Sequence, residues 1–114
     1  MRMRLRLSGT DATGSNYLIR NMYISGNSTF GAEYSTQTTW YYGSANATGG
    51  VIITDISNPN LARPTYMTGQ NLSDTNNQSN GLVHNLSTAY DGFTVYNTSA
   101  VNMTGTISVY GYQI

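Results

Sequence analysis

Apolar side chains nowhere recur at helical spacing over a useful length of this chain. They alternate with polar ones in short runs, and Gly, Asn and Ser cut the runs apart. A period of two belongs to a strand with one buried face, whereas a helix needs apolar residues three and four apart. The opening shows this most clearly: Met1, Met3, Leu5 and Leu7 alternate with Arg2, Arg4 and Arg6. A strand there carries an apolar stripe on one face and three guanidiniums on the other. Ser8 to Asp11 and Gly14-Ser15-Asn16 read as turns. Tyr17 to Ser25 is the next strand, with Leu18, Met22 and Ile24 on one side and Tyr17, Ile19 and Tyr23 on the other. Phe30 to Tyr34 and Thr38 to Tyr42 are shorter β-prone runs. Gly49-Gly50 precedes the strongest one, Val51 to Ile56, which Ser57-Asn58-Pro59-Asn60 stops.

A weaker strand runs from Arg63 to Thr68, and Pro64, which has no N–H to give a ladder, assigns it to an edge. Asn71 to Gly81 is almost wholly polar and reads as an exposed loop. Leu82, His84 and Leu86 alternate in a further strand. Asp91-Gly92 is a turn that feeds Phe93 to Tyr96. The last expected strand is Thr104 to Tyr112, with Ile107 and Val109 facing one way and Thr106, Ser108, Tyr110 and Tyr112 the other. About eight short antiparallel strands separated by turns predict an all-β domain, a β-sandwich or jelly roll. At this length the reading is one domain over 1–114, with 1–10 as an N-terminal arm or edge strand.

Composition then narrows the class of function. Only 9% of the residues are charged, none is lysine, and the 22 residues after Gly92 carry no charge. Soluble monomers usually hold about 25% charged residues, and charge keeps copies apart. With a formal net charge of zero, nothing long-range opposes contact between copies, which favours a subunit of an assembly over a diffusing enzyme. Polarity comes instead from neutral groups: 45 of the 114 residues are Ser, Thr, Asn or Gln, and ten are Tyr. Tyrosine suits a half-buried sheet, because its ring packs while its hydroxyl reaches a partner.

With no cysteine, a disulfide framework and a thiolate zinc site are excluded. The N-terminus lacks the apolar run of a signal peptide, and no stretch reaches the roughly 18 apolar residues of a membrane helix. The expectation is a chain made in the cytoplasm, with no membrane partner. Seven Asn-x-Ser/Thr sequons, from Asn27 to Asn102, follow from the abundance of these residues.

The C-terminal third carries a resemblance. Asp91-Gly92-Phe93-Thr94-Val95-Tyr96, then Gly105-Thr106-Ile107-Ser108-Val109-Tyr110-Gly111-Tyr112, resembles the closing strands of small tailed-bacteriophage virion proteins. Ile53-Thr54-Asp55-Ile56-Ser57-Asn58-Pro59, leading to Thr65-Tyr66, is similar to the middle of the same proteins. Where that group often has a basic residue after the final aromatic, Gln113 stands here. The resemblance implies a β-sandwich virion component without enzymatic activity, such as a capsid decoration or cement protein. It implies no catalytic residues and no cofactor.

The residues suggest contact surfaces more readily than chemistry. Arg2, Arg4 and Arg6 suit charge-assisted anchoring to an acidic capsid surface, or else a solvated, edge-blocking strand face. A nucleic-acid partner is disfavoured because the chain is neutral overall. Trp40 and Tyr42 share one side of their run and serve the core, a subunit contact or a sugar platform. The uncharged terminal segment, with Tyr110 and Tyr112, invites pairing with another chain. His84, the sole histidine, reads as structural, because no nucleophile elbow accompanies it. The five acids are scattered over separate turns, which opposes a paired-carboxylate glycosidase. Asp74 to Gln78 alternates oxygen ligands yet lacks the Gly and Glu of an EF-hand loop, so no metal is assigned.

These readings converge on a decorating or cementing capsid protein of a virion, assembled in the host cytoplasm. Its expected partners are the major capsid protein and itself, as a homotrimer. The alternative is a carbohydrate- or receptor-binding module of a tail fibre or lectin-like protein, with a glycan as partner.

Overall fold

The computed structural model describes residues 1–41, 49–74, 76–98 and 102–111. These hold nine strands and no helix. In chain order they are β1 (Arg2–Leu7), β2 (Thr10–Asp11), β3 (Tyr17–Ser25), β4 (Ser28–Gln37) and β5 (Trp40–Tyr41), then β6 (Gly50–Ser57), β7 (Thr65–Ser73), β8 (Asn76–His84) and β9 (Gly92–Tyr96). Two antiparallel sheets result, the all-β sandwich that the alternating runs predict. The larger has the order β4-β3-β8-β7-β6. In the smaller, β1 pairs with β9 along one side and with β5 and β2 along the other.

Local sequence explains the hairpins. Ser8 and Gly9 join β1 to β2 with φ of 50° and 79°, the two positive values a type I′ turn requires. Asp91 locks that turn by accepting the Ser8 N–H at 2.9 Å. Gly26, with φ of 57°, opens the two-residue turn between β3 and β4, where a side chain would be strained.

The sheets meet across Met3, Leu5 and Trp40 on one side and Tyr17, Ile19, Met67 and Leu82 on the other, with Tyr90 closing the end. An aromatic cluster sits at the centre. Tyr17 packs edge-on against Trp40 at 5.3 Å and against His84 at 4.3 Å between ring centroids, a geometry ring quadrupoles favour. The Trp40 Nε1–H donates to the Val83 carbonyl at 3.3 Å. The Tyr90 hydroxyl lies 3.2 Å from His84 Nδ1. Burial lowers the His84 pKa from its ordinary value, which favours the neutral ring beside that hydroxyl.

Several expectations are corrected. Residues 1–10 are neither arm nor edge, because β1 is paired on both sides and supplies Met3 and Leu5 to the core. β7 is interior, between β8 and β6; Pro64 precedes its first residue, so no ladder donor is missing. The stretch from Asn71 to Gly81 is not a loop: Asn71 to Ser73 end β7 and Asn76 to Gly81 form most of β8. Its inward positions include the buried amides Asn71, Gln78 and Asn80: Gln78 stands between Asn71 of β7 and Tyr23 of β3, and Asn80 stands opposite Asn21 of β3. Gln78 Nε2–H donates to Asn80 Oδ1 at 2.9 Å. On β3, Tyr17, Ile19 and Asn21 face inward while Met22 and Ile24 are exposed. Finally, no residue of 104–111 lies in a strand; Ile107, Val109 and Tyr110 are 69%, 70% and 83% exposed.

Candidate functional site

The outward face of the smaller sheet collects the arginines. Because β1 alternates, sending Met3 and Leu5 to the core turns Arg2, Arg4 and Arg6 outward together. Their neighbours follow from register: Arg2 lies opposite Tyr41 and Tyr96, Arg4 opposite Thr94, and Arg6 opposite Asp11 and Gly92. The Arg2 guanidinium carbon stands 5.3 Å from the Tyr41 ring centroid, and that of Arg4 stands 5.0 Å from that of Tyr96. Arg4 Nε–H also donates to the Thr38 carbonyl at 3.1 Å. Such ring contacts contribute about 0.5–1 kcal/mol at exposed sites and leave the charge in place.

Arg6 differs. Its Nε lies 3.2 Å from Asp11 Oδ1, its Nη2 reaches the Gly9 carbonyl, and Thr94 Oγ1–H donates to the same Asp11 oxygen at 2.7 Å. One of the three charges is therefore neutralised within the chain, while Arg2 and Arg4 face aromatic rings. Stacking fixes the two guanidiniums and leaves N–H edges for a bidentate carboxylate or phosphate.

Beside Arg2 lies a groove of about 460 Å³. Tyr23, Tyr34 and Tyr41 supply aromatic faces, and Asn21, Gln37 and Gln78 supply amides. Asn21 is buried and its Oδ1 has no hydrogen-bond partner. Rings beside amides suit sugar hydroxyls and the apolar faces of sugar rings, and the volume falls within the usual range for small-ligand sites. Sequence reasoning missed this groove, because Gln78 lies in the stretch read as a loop and only the register of β3, β4 and β8 brings it beside Asn21 and Gln37.

The remaining predicted residues are placed as follows. Trp40 is 0% exposed and hydrogen-bonded inside the core, so it is no contact or sugar surface; its large ring is what joins the two sheets. Tyr110 is open to solvent, and Tyr42 and Tyr112 lie outside the described residues. Asn76, Asn77 and Gln78 belong to β8 and alternate faces, so they do not form an oxygen ring. Asp91, read as part of a turn, accepts the Ser8 N–H and holds the β1–β2 hairpin.

A third surface is apolar. On the outer face of the larger sheet, Met22, Ile24, Val51, Ile53 and Leu72 are all exposed, towards the end where β3 turns into β4. Comparison of the chain with protein-family models, with curated proteins and with solved structures returns no match.

Proposed function

We propose that this chain is a non-enzymatic structural protein of a phage virion, a homotrimeric subunit that decorates or cements the capsid exterior. One observation carries the reading. Among the described residues, fifteen large hydrophobic side chains are exposed while eight form the buried core. On the outer face of the larger sheet Val51, Ile53 and Leu72 group on β6 and β7 and Met22 and Ile24 on β3, with Asn77 and Ser79 of β8 between them. Grouped exposed apolar surface marks an interaction site, and this chain has almost no charge to keep copies apart.

Magnitudes favour a closed ring over a single contact. The five outer-face side chains are already partly covered, so finishing their burial contributes on the order of 5 kcal/mol per subunit. Association costs an estimated 4–15 kcal/mol, so one such contact is marginal. A trimer makes three interfaces for two association events, and closed symmetry is the common outcome. The face holding Arg2 and Arg4 then serves as the dock for an acidic capsid surface. The resemblance of Asp91 to Tyr96 and of Ile53 to Pro59 to virion proteins points the same way.

Cryo-electron microscopy of particles that incorporate this chain tests the proposal. Density for a nine-stranded sandwich on the outside of the shell, three copies about each local axis, is the expected result. Particles that lack the chain refute it. A second reading, binding of carbohydrate, is favoured by the tyrosine and amide groove beside Arg2. A glycan array decides between the two: specific, saturable binding lost on Asn21→Leu supports the carbohydrate module.

A further inference from the structure

Among the described residues, two sets of backbone groups meet no strand. The first is the free edge of β6. Its eight residues pair without a register break along β7, so alternate N–H and C=O groups on the other side meet no strand among the described residues. Free edges are normally blunted by lysine, proline, a bulge or short length. β6 has no lysine, proline or bulge, is eight residues long, and carries a single charge, Asp55, exposed on its outer face. The other edges are poorer acceptors. β4 has a register shift and a positive φ of 56° at Thr36, β9 has five residues, and β2 and β5 have two each.

The second is the segment 104–111. It is as long as β6, alternates β-branched and polar residues, carries no charge, and lies in no strand. Ile107 and Val109 point the same way along an extended chain and are about as exposed as Val51 and Ile53, at 60% and 67%. A sequence with this β-propensity and no partner within its own fold is half of a pairing.

We infer that 104–111 of one copy adds as a sixth strand to the β6 edge of a second copy, so that strand exchange holds the oligomer together. This rests on the homo-oligomeric part of the function proposed above and adds its means. Main-chain hydrogen bonds supply affinity in such strand addition, and alternate side chains supply specificity. Each chain gives one strand and receives one, so the contact is directional and forms a ring when the rotation between copies closes, as the trimer proposed above requires.

The test uses sedimentation velocity on three proteins: the full chain, a chain lacking 102–114, and Ile107→Asn/Val109→Asn. Both variants keep every core residue and should retain the β circular dichroism of the full chain while sedimenting as monomers. A peptide of residues 102–114 should then bind the shortened chain saturably. The same peptide, N-methylated at alternate positions, should bind at least tenfold more weakly, because it keeps its side chains but loses backbone donors. Hydrogen exchange should show new protection at residues 50–57 on peptide binding. An oligomer that survives truncation, absence of peptide binding, or protection at another strand overturns strand exchange and leaves the homo-oligomer standing. A full chain that is monomeric at every concentration removes both.

Discussion

Replacing Tyr17 by Phe probes how the two sheets are joined. Along the inner edge of β1, β5 pairs with Arg2 and Met3 while β2 pairs with Arg6 and Leu7. Leu5 falls in the gap between them. Its C=O accepts the Ala12 N–H at 2.9 Å, and its N–H donates to the Tyr17 hydroxyl at 3.1 Å. That hydroxyl donates in turn to the Ala12 carbonyl at 2.8 Å. Tyr17→Phe keeps the ring and its contacts with Trp40 and His84 but strands a buried N–H. An unsatisfied buried donor costs about 1–3 kcal/mol, and the Ala12 carbonyl, part-buried, adds less. The expected loss is about 2 kcal/mol, or on the order of 8 °C in Tm for a domain of this size.

The pH dependence of the same variant supplies a check. Burial pushes the Tyr17 pKa up to about 12, whereas an unfolded tyrosine ionises near 10. Between these values the unfolded chain has released the proton and the folded chain has not, so wild-type stability falls as pH rises from 10 to 12. Tyr17→Phe lacks that term, and its deficit should shrink over the same window. Urea denaturation at pH 8 and through 10–12 measures both effects. A variant within 0.5 kcal/mol of wild type at pH 8, or a deficit that stays constant through the alkaline window, refutes the reasoning.

Three further outcomes are expected. Gly69→Ala places a Cβ 2.8 Å from the Ile53 carbonyl oxygen and 2.9 Å from Thr54 Oγ1, so thermal unfolding should show a loss of about 1–3 kcal/mol from overpacking. His84, its pKa lowered by burial, should titrate by NMR with a midpoint below 6.5. Because the unfolded chain takes up that proton first, this site makes stability fall as pH drops below 6.5. Arg2→Ser/Arg4→Ser should lower occupancy on the particle and weaken its salt dependence. Arg6→Ser, removing an ion pair within the chain, should change occupancy little and stability by at most about 1 kcal/mol.

What the sequence discloses depends on whether a strand's inward positions are apolar. β1, β3, β6 and β9 were legible because their alternation is written in Met, Leu, Ile, Val and Phe and bounded by turn residues. β8 was hidden because its inward residues Gln78 and Asn80 are amides that hydrogen-bond to each other along one face of the strand. A polar residue every second position looks the same whether it faces water or a buried ladder. The place of β7 inside the sheet was missed because Pro64 was counted within the strand rather than ahead of it. Arg2, Arg4 and Arg6 were legible as a row, but only the register with β5, β9 and β2 separates the stacked pair from the neutralised Arg6. Thr104 to Tyr112 alternates as a strand does, yet no residue of 104–111 lies in one, because a strand needs a partner and the described sheets give it none. Trp40 was ambiguous for a related reason: period two places it with Tyr42 but does not say which face is inside.

The central claim is that this nearly uncharged fold leaves strand and apolar surface for other copies of itself to cover. Sedimentation velocity of the purified full chain from micromolar to millimolar concentration tests it most directly. The account predicts a concentration-dependent shift to one closed trimer, with no larger aggregates. A stable, dispersed monomer across the whole range would contradict it.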